Sequence, residues 1–349
     1  MNYALLVSFL LATTIAFGRQ LAVVGRVRTA LWFFSHFEQK RLFFSISSLL
    51  LLLISIYNIG LSGLTISVGA LTILLILFAF FFDMKFFFPE INRVIRKKAK
   101  DTKIKDDTSV IGLRINDTAV AYPLKEAVIP RHIILDKIED KQVLICFCAL
   151  CQSALAFSTN VDGKELYFRV AGVWRRNMII IDTLTNSLWQ QATGECIYGP
   201  FKGKQLELLS GENVTWGEWK KKYNETEFAY EFVEARKGYW TREKMNKLLD
   251  KAVNKITMPG FSDLSALPNR ETVFGVHYNG VSRAYRKKDL MVERHFEDQY
   301  LDKTVLFSYN EEADYLYANE KESKEKVIVE KHWWLGWKEF HPETEIWKS

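Results

Sequence analysis

Cysteine and histidine are scarce in this chain, with four and six in 349 residues. Only Cys148 and Cys151 stand at C-x-x-C spacing, and no second such pair exists to close a four-ligand metal knuckle. Also missing are a P-loop, a dinucleotide glycine fingerprint, a G-x-S-x-G elbow and a zincin helix. Their absence argues against a P-loop ATPase, a Rossmann-type dehydrogenase and the hydrolases that carry those motifs, and no cofactor is implied. Excess charge is small as well: 47 Lys and Arg against 41 Asp and Glu leave +6. Most of that surplus flanks apolar segments, so it does not argue for a nucleic-acid partner.

What is present divides the chain in two. A hydrophobic content of 48% and a mean hydropathy of -0.06 average two unlike parts. Residues 1–90 hold the long apolar runs. Residues 43–61 and 64–82 each approach the roughly 20 apolar residues a spanning helix needs. Gly60 to Gly63 between them reads as a tight turn, giving a helical hairpin. A shorter run, residues 3–17, lacks the basic start and small-residue cleavage site of a signal peptide, so it is expected as a first of about three transmembrane helices.

Arg19, Arg26, Arg28, Lys40 and Arg41 follow the first run, and Lys85, Arg93 and Arg96 to Lys100 follow the third. The positive-inside rule places both basic segments in the cytoplasm and the amino terminus outside. The expectation is an integral protein of a bacterial inner membrane, with the lipid bilayer as partner and a cytoplasmic domain. Residues 91–109 read as a basic linker against anionic lipid.

From residue 110 the pattern changes to short β-branched or alternating runs broken by Asn-Asp, Asp-Gly and Asn-Gly. Strands are expected at 110–115, 119–122, 143–148, 154–158, 165–170 and 178–182, with two-residue hairpin turns at Asp162-Gly163 and Asn279-Gly280. Helical pattern is confined to 216–223, 242–253 and 334–340. Tyr167, Phe168, Ile179 and Ile181 read as strand core, and Trp189, Trp216, Trp219, Trp333, Trp334 and Trp337 mainly as buried anchors.

Two parts of this domain also resemble each other. Residues 110–122 align without gaps to 273–285, Arg131-His132 to Arg294-His295, and Val143 to Phe147 to Val305 to Tyr309. Trp219 to Phe228 likewise matches Trp337 to Ile346, whereas Cys148 and Cys151 fall on Asn310 and Ala313. The fold class is therefore N-terminal transmembrane helices followed by a β-rich (mainly β, α+β), internally duplicated soluble domain over 110–349. Its first half is 110–228, its connector 229–272 and its second half 273–346.

Phe147-Cys-Ala-Leu-Cys-Gln-Ser-Ala154 resembles the Y-C-P-L-C-G-S-A stretch of the domain-of-unknown-function family 3179. Ala121-Tyr-Pro123, Asn177 with Asp182, Ser187-Leu-Trp189, Gln191, Thr193-Gly-Glu195, Gly199-Pro200 and Phe340 to Glu345 also fit that pattern. The resemblance implies no defined substrate; the selenoproteins among its members imply redox chemistry. Departures are Ala149 for the usual proline, Gln152 for the usual glycine, and His132-Ile133 where a histidine-glutamate pair is usual.

Three readings of the pair stay open. In the first, a membrane-anchored thiol oxidoreductase, Cys148 attacks from a rigid strand end and Cys151 resolves. Arg131, His132, Arg175 and Arg176 would lower the thiol pKa, and an unknown small molecule or thiol partner is the substrate. Its pocket is expected near Arg175, Asn177, Asp182, Trp189 and Gln191, in the segment that the second half lacks. In the second, Cys146, Cys148, Cys151, Cys196 and His132 form a metal set. The third is a tethered ligand-binding or scaffolding domain in which the thiols are inert. Sulfurs at a pocket floor would favour the enzyme, and sulfurs buried among aliphatic groups the scaffold.

Overall fold

The computed structural model describes residues 3–25, 29–128, 131–239, 244 and 266–348. The apolar N-terminal sequence forms helices Tyr3–Gly25, Phe37–Ile59 and Gly63–Phe81. The second and third are long and apolar enough to cross a membrane. Ser62 caps the third, its hydroxyl accepting from the Thr65 amide at 3.2 Å, which satisfies one of the helix's orphan donors. Leu42, Phe43, Ile46, Leu53, Leu74 and Phe81 point outward and are exposed. Inside the bundle the Ser8 and Ser48 hydroxyls each donate to the other's carbonyl at 2.7 Å, a small-residue contact typical of helices packed in lipid. At the end nearest the β domain, Asp83 lies 2.8 Å from Arg41 and 3.7 Å from Arg19.

Beyond residue 90 the regular structure of the described chain is mostly strand. A nine-stranded sheet runs in the order Leu208–Leu209, Ser153–Ser158, Lys141–Cys148, Ile133–Ile138, Ile91–Lys98, Glu227–Glu234, Thr118–Pro123, Ser109–Ile115 and Glu212–Thr215. The stretch expected as a basic linker is therefore, over Ile91–Lys98, the middle strand of this sheet. Its charges do not keep it in solvent, because neighbouring strands supply acids: Arg96 lies 2.7 Å from Asp136 and 3.4 Å from Glu227. Lys97 sits 3.7 Å over the Tyr230 ring. Its partner strand Glu227–Glu234 crosses the expected boundary at 228.

The expected strands are found at Ser109–Ile115, Thr118–Pro123, Lys141–Cys148, Ser153–Ser158 and Asn177–Asp182, whereas 165–170 splits into Lys164–Glu165 and Phe168–Trp174. Tyr167, in that break, is half exposed and not core. Asp162-Gly163 and Asn279-Gly280 both have positive φ, as a type I′ turn requires. Helices Trp216–Lys222 and Trp334–Phe340 form where expected; the helix expected at 242–253 falls outside the described residues apart from 244.

Two four-stranded sheets follow. One runs Cys196–Tyr198, Leu188–Gln190, Asn177–Asp182, Phe168–Trp174; the other runs Glu330–Trp333, Thr272–Tyr278, Val281–Arg286, Glu345–Ile346. A three-stranded sheet joins His295–Tyr300, Lys303–Asn310 and Tyr315–Glu320. One apolar core crosses from Trp216, Trp219 and Phe228 to Phe274, Tyr285, Phe307 and Tyr315. Leu31 and Phe34, from the short helix Thr29–Phe34, bury themselves on Ile179, Ile181 and Leu188, so the apolar bundle and the β domain share packing.

Several local contacts occur twice. A Cβ at Gly112 would fall 2.2 Å from the Trp219 ring, and one at Gly275 would fall 2.3 Å from Trp337. Only glycine lets an indole lie that close to the strand. Each of those indoles donates at 2.8 Å to a threonine seven residues on, Thr226 and Thr344. Tyr122 donates to Asp136 at 2.7 Å, and Tyr285 to Asp298 at 2.6 Å. The sheets around them differ: the first set lies in the nine-stranded sheet, and the second is divided between two smaller ones.

Candidate active site: a buried thiol pair under the second half

Strands Lys141–Cys148 and Ser153–Ser158 pair antiparallel with Cys148 opposite Ser153, so the C-x-x-C sequence forms the hairpin turn. Gln152, where the resembling family has glycine, has φ 53°. That left-handed conformation costs a non-glycine residue about 1–2 kcal/mol. The Gln152 side chain offsets part of the cost by donating to the Ala149 carbonyl at 2.8 Å.

All four cysteines are free and buried. Cys148 and Cys151, 1% and 0% exposed, stand at the two ends of this turn, and each thiol shifts the pKa of the other. Burial pushes the Cys148 thiol up, but donation from Cys151 and from the amides of Cys151, Met178 and Leu150 outweighs it and brings the pKa below the usual thiol value. Burial, together with the neighbouring Cys148, drives Cys151 well above its usual value. The pair therefore carries a charge more readily on Cys148. Around Cys151 the shell is polar: Asn177 Nδ2 lies 3.2 Å from its sulfur and the Ser153 hydroxyl 3.1 Å. Gln191 joins them, accepting from Asn177 at 2.8 Å and from Ser153 at 3.2 Å. Leu155, Met178, Phe168 and Trp189 form the apolar side.

Strand Glu330–Trp333 and helix Trp334–Phe340 close the other side. The Trp333 amide donates to the Cys151 carbonyl at 2.8 Å. A Cβ at Gly336 would fall 2.3 Å from the Cys151 Cβ, so helix Trp334–Phe340 lies directly on the turn. His332, 2% exposed, interacts with Cys151 and places Nε2 2.9 Å from Glu330 Oε2. Burial lowers its pKa, but Cys151 and Glu330 outweigh this and raise it to about 9. A cavity of about 250 Å³ between the halves is lined by Phe147 and Gln152 on one side and Lys331, His332 and Trp333 on the other. Neither thiol lines it; residues flanking both do.

The remaining expected residues fall into two groups. Asn177 and Gln191 touch the thiol shell, as above. Arg175 binds Glu339 of the second half, Nε to Oε1 at 3.0 Å and Nη2 to the carbonyl at 2.9 Å, and Arg176 lies 3.9 Å from the same carboxylate. Both arginines have positive φ, 49° and 59°, in the turn before Asn177. That turn ordinarily takes Asn-Gly, and Glu339 holds it in place.

Arg131 pairs with Glu234 at 2.8 Å. The His132 ring packs tilted against Phe88, centroids 4.9 Å apart, burial takes its pKa down to about 4, and its Nδ1 has no hydrogen-bond partner among the described residues. None of the described contacts joins either residue to a thiol. Asp182 caps its own turn, accepting from the Thr185 amide at 2.6 Å and from the Trp189 indole at 3.0 Å. Trp189 is core behind the pair, 0% exposed. Cys146 and Cys196 bond the carbonyls of Leu155 and Tyr198, and burial raises both to about 12. Among the described residues no three His, Cys, Asp or Glu side chains gather to hold a metal ion, so the expected metal set is not assembled.

Sequence reading missed Glu330 and His332. The signal available was their i, i+2 spacing, which puts both side chains on one face of a strand. Nothing local connected that strand to a turn some 180 residues earlier.

No curated protein and no solved structure matches the chain. A family model described as Protein of unknown function (DUF3179) matches residues 87–330, more than half of the chain, and the chain belongs to that family.

Proposed function

We propose that this is a membrane-anchored thiol–disulfide oxidoreductase in which Cys148 attacks and Cys151 resolves. The anchor is the bundle containing Phe37–Ile59 and Gly63–Phe81, with Tyr3–Gly25 as a third span and the β domain on the cytoplasmic side. The feature that carries the reading is the pair itself: two free, buried thiols at the ends of one tight turn, with Cys148 brought below its ordinary pKa while Cys151 is driven above it. That asymmetry is what an attacking thiolate and a protonated partner need.

The substrate is a small disulfide entering by the 250 Å³ cavity. The Cys148 thiolate attacks one of its sulfurs, forming a mixed disulfide and releasing one thiolate. Cys151 then attacks the Cys148 sulfur, loses its proton, and releases the second thiolate. Two protein thiols are oxidised and one disulfide is reduced. Because both sulfurs are buried, attack requires the segment of the second half over Cys151 to shift. The repeated Gly–Trp and Tyr–Asp contacts support reading the halves as copies of one unit, the second having lost its thiols and become the cover.

The test is redox titration of the full-length chain in detergent against a dithiol couple, with acid quench, alkylation and intact mass. Reversible loss of two hydrogens, abolished in Cys148→Ser, is expected. Burial of both sulfurs favours the alternative of inert structural thiols in a tethered domain. A pair that oxidises only once the chain is unfolded would establish that alternative.

A further inference from the structure

In the oxidoreductase reading Cys151 must lose its proton as it attacks, before the second thiolate has left, and among its described residues the first half brings no base to that thiol other than Cys148 itself. Asn177 and Gln191 do not titrate, Arg131 is paired with Glu234, and His132 has no described contact with the thiols. The geometry points to Glu330–His332, contributed by the second half, as the group that exchanges the Cys151 proton. This rests on the thiol reading above and adds a residue pair and a reason for the second half to be there.

Four observations converge. His332 Nε2 is 2.9 Å from Glu330 Oε2, which fixes the ring and leaves Nδ1 as the free nitrogen. Nδ1 is buried and has no hydrogen-bond partner among the described residues, an arrangement that is costly unless the atom has a task. The Trp333 amide, one residue on, holds the Cys151 carbonyl at 2.8 Å, so strand Glu330–Trp333 is pinned to the turn that carries the thiol. His332 also lines the cavity while Cys151 does not.

When Cys151 attacks the Cys148 mixed disulfide, its proton passes to His332 Nδ1, and the imidazolium is held by the Glu330 carboxylate. In the reverse direction, a thiolate attacking Cys148 of the internal disulfide expels Cys151 as thiolate, and His332 returns the proton. The charged and titratable groups facing His332 are Cys151 from the turn, Glu330 on its own strand, and His341 across Trp337. His341 is occupied elsewhere, bonded through Nδ1 to Ser282 at 3.1 Å.

Two measurements on the full-length chain in detergent test this. In imidazole NMR of histidine-labelled protein, the His332 titration should shift in Cys151→Ser and stay in place in His341→Gln. A titration indifferent to Cys151→Ser overturns the inference, whatever the thiols do. In stopped redox exchange at pH 7, His332→Gln should slow disulfide closure about a hundredfold, the lower end of what a positioned acid–base group supplies. Glu330→Gln should give a smaller loss. Closure at the wild-type rate and pH profile in His332→Gln overturns the inference and leaves the thiol reading intact. A wild-type pair that never closes overturns both.

Discussion

Replacing Gly336 by alanine should lever the second half off the thiol turn. The added Cβ would lie 2.3 Å from the Cys151 Cβ, 3.4 Å from its Cα and 3.4 Å from its sulfur. The nearest atom is the first carbon of a side chain fixed in a tight turn, so no rotamer change relieves the overlap. Helix Trp334–Phe340 must instead retreat by about 1 Å to reach ordinary contact. Overpacking of this kind costs about 1–3 kcal/mol, and the Trp333-to-Cys151 hydrogen bond stretched by the retreat adds about 1 kcal/mol. At roughly 2–4 °C of Tm per kcal/mol for a domain of this size, a loss of several degrees is expected. Alkylation of Cys151 in the folded chain should accelerate at the same time. Gly63→Ala is the control, because no described atom lies within 4 Å of its Cβ position. Cys151→Gly removes the atom that is struck, so its combination with Gly336→Ala should be much less damaging than the two changes taken separately. Wild-type Tm and alkylation rate in Gly336→Ala, or additive losses in the double variant, would refute the packing argument.

Other outcomes follow from the same structure. His132 is buried and neutral, with its pKa taken down to about 4 from the ordinary 6.5. The unfolded chain therefore binds a proton that the folded chain refuses, and stability falls as pH drops from 6.5 towards 4, by about 3 kcal/mol in full. His132→Asn, which tolerates the positive φ, should flatten that part of the pH dependence in urea unfolding; an unchanged slope would show that another group sets it. His332 has the opposite sign. Its pKa is raised to about 9, so its contribution is complete below pH 6.5 and disappears as pH rises towards 9, and His332→Gln should remove that alkaline loss. A chain starting at residue 100 lacks the middle strand Ile91–Lys98 and exposes two strand edges, so it should elute as aggregate; a folded monomer on gel filtration would contradict the sheet order. Leu61→Cys, 73% exposed in the helix turn and set against four buried native cysteines, should react with an impermeant reagent in intact cells. Failure to label would reverse the orientation.

Much of the architecture was legible in the sequence because it depends on local pattern. The apolar runs have the length of helices that cross a membrane. Except at 165–170, which splits, the alternating runs became strands within a residue or two, and Trp334–Phe340 formed where its pattern put it. The runs expected as strands at 143–148 and 154–158 flank the C-x-x-C sequence, and the fold closes it into the hairpin turn between them. Asn177 and Gln191 also came out of sequence inspection, as polar residues in the segment that the second half lacks.

Local pattern could not decide what depends on partners distant in sequence. Ile91–Lys98 reads as a solvated basic stretch, and only Asp136 and Glu227 on adjacent strands make it a strand. His132 carries a functional-looking residue type beside a strand, yet the fold turns it towards Phe88. Glu330 and His332 carry no motif, and packing of the second half on the first brings them to Cys151. Composition and periodicity determined which segments would be helix and strand. Tertiary packing alone decided which charges are neutralised and which imidazole faces the thiols, because burial and electrostatic coupling act through space and leave no fixed spacing along the chain.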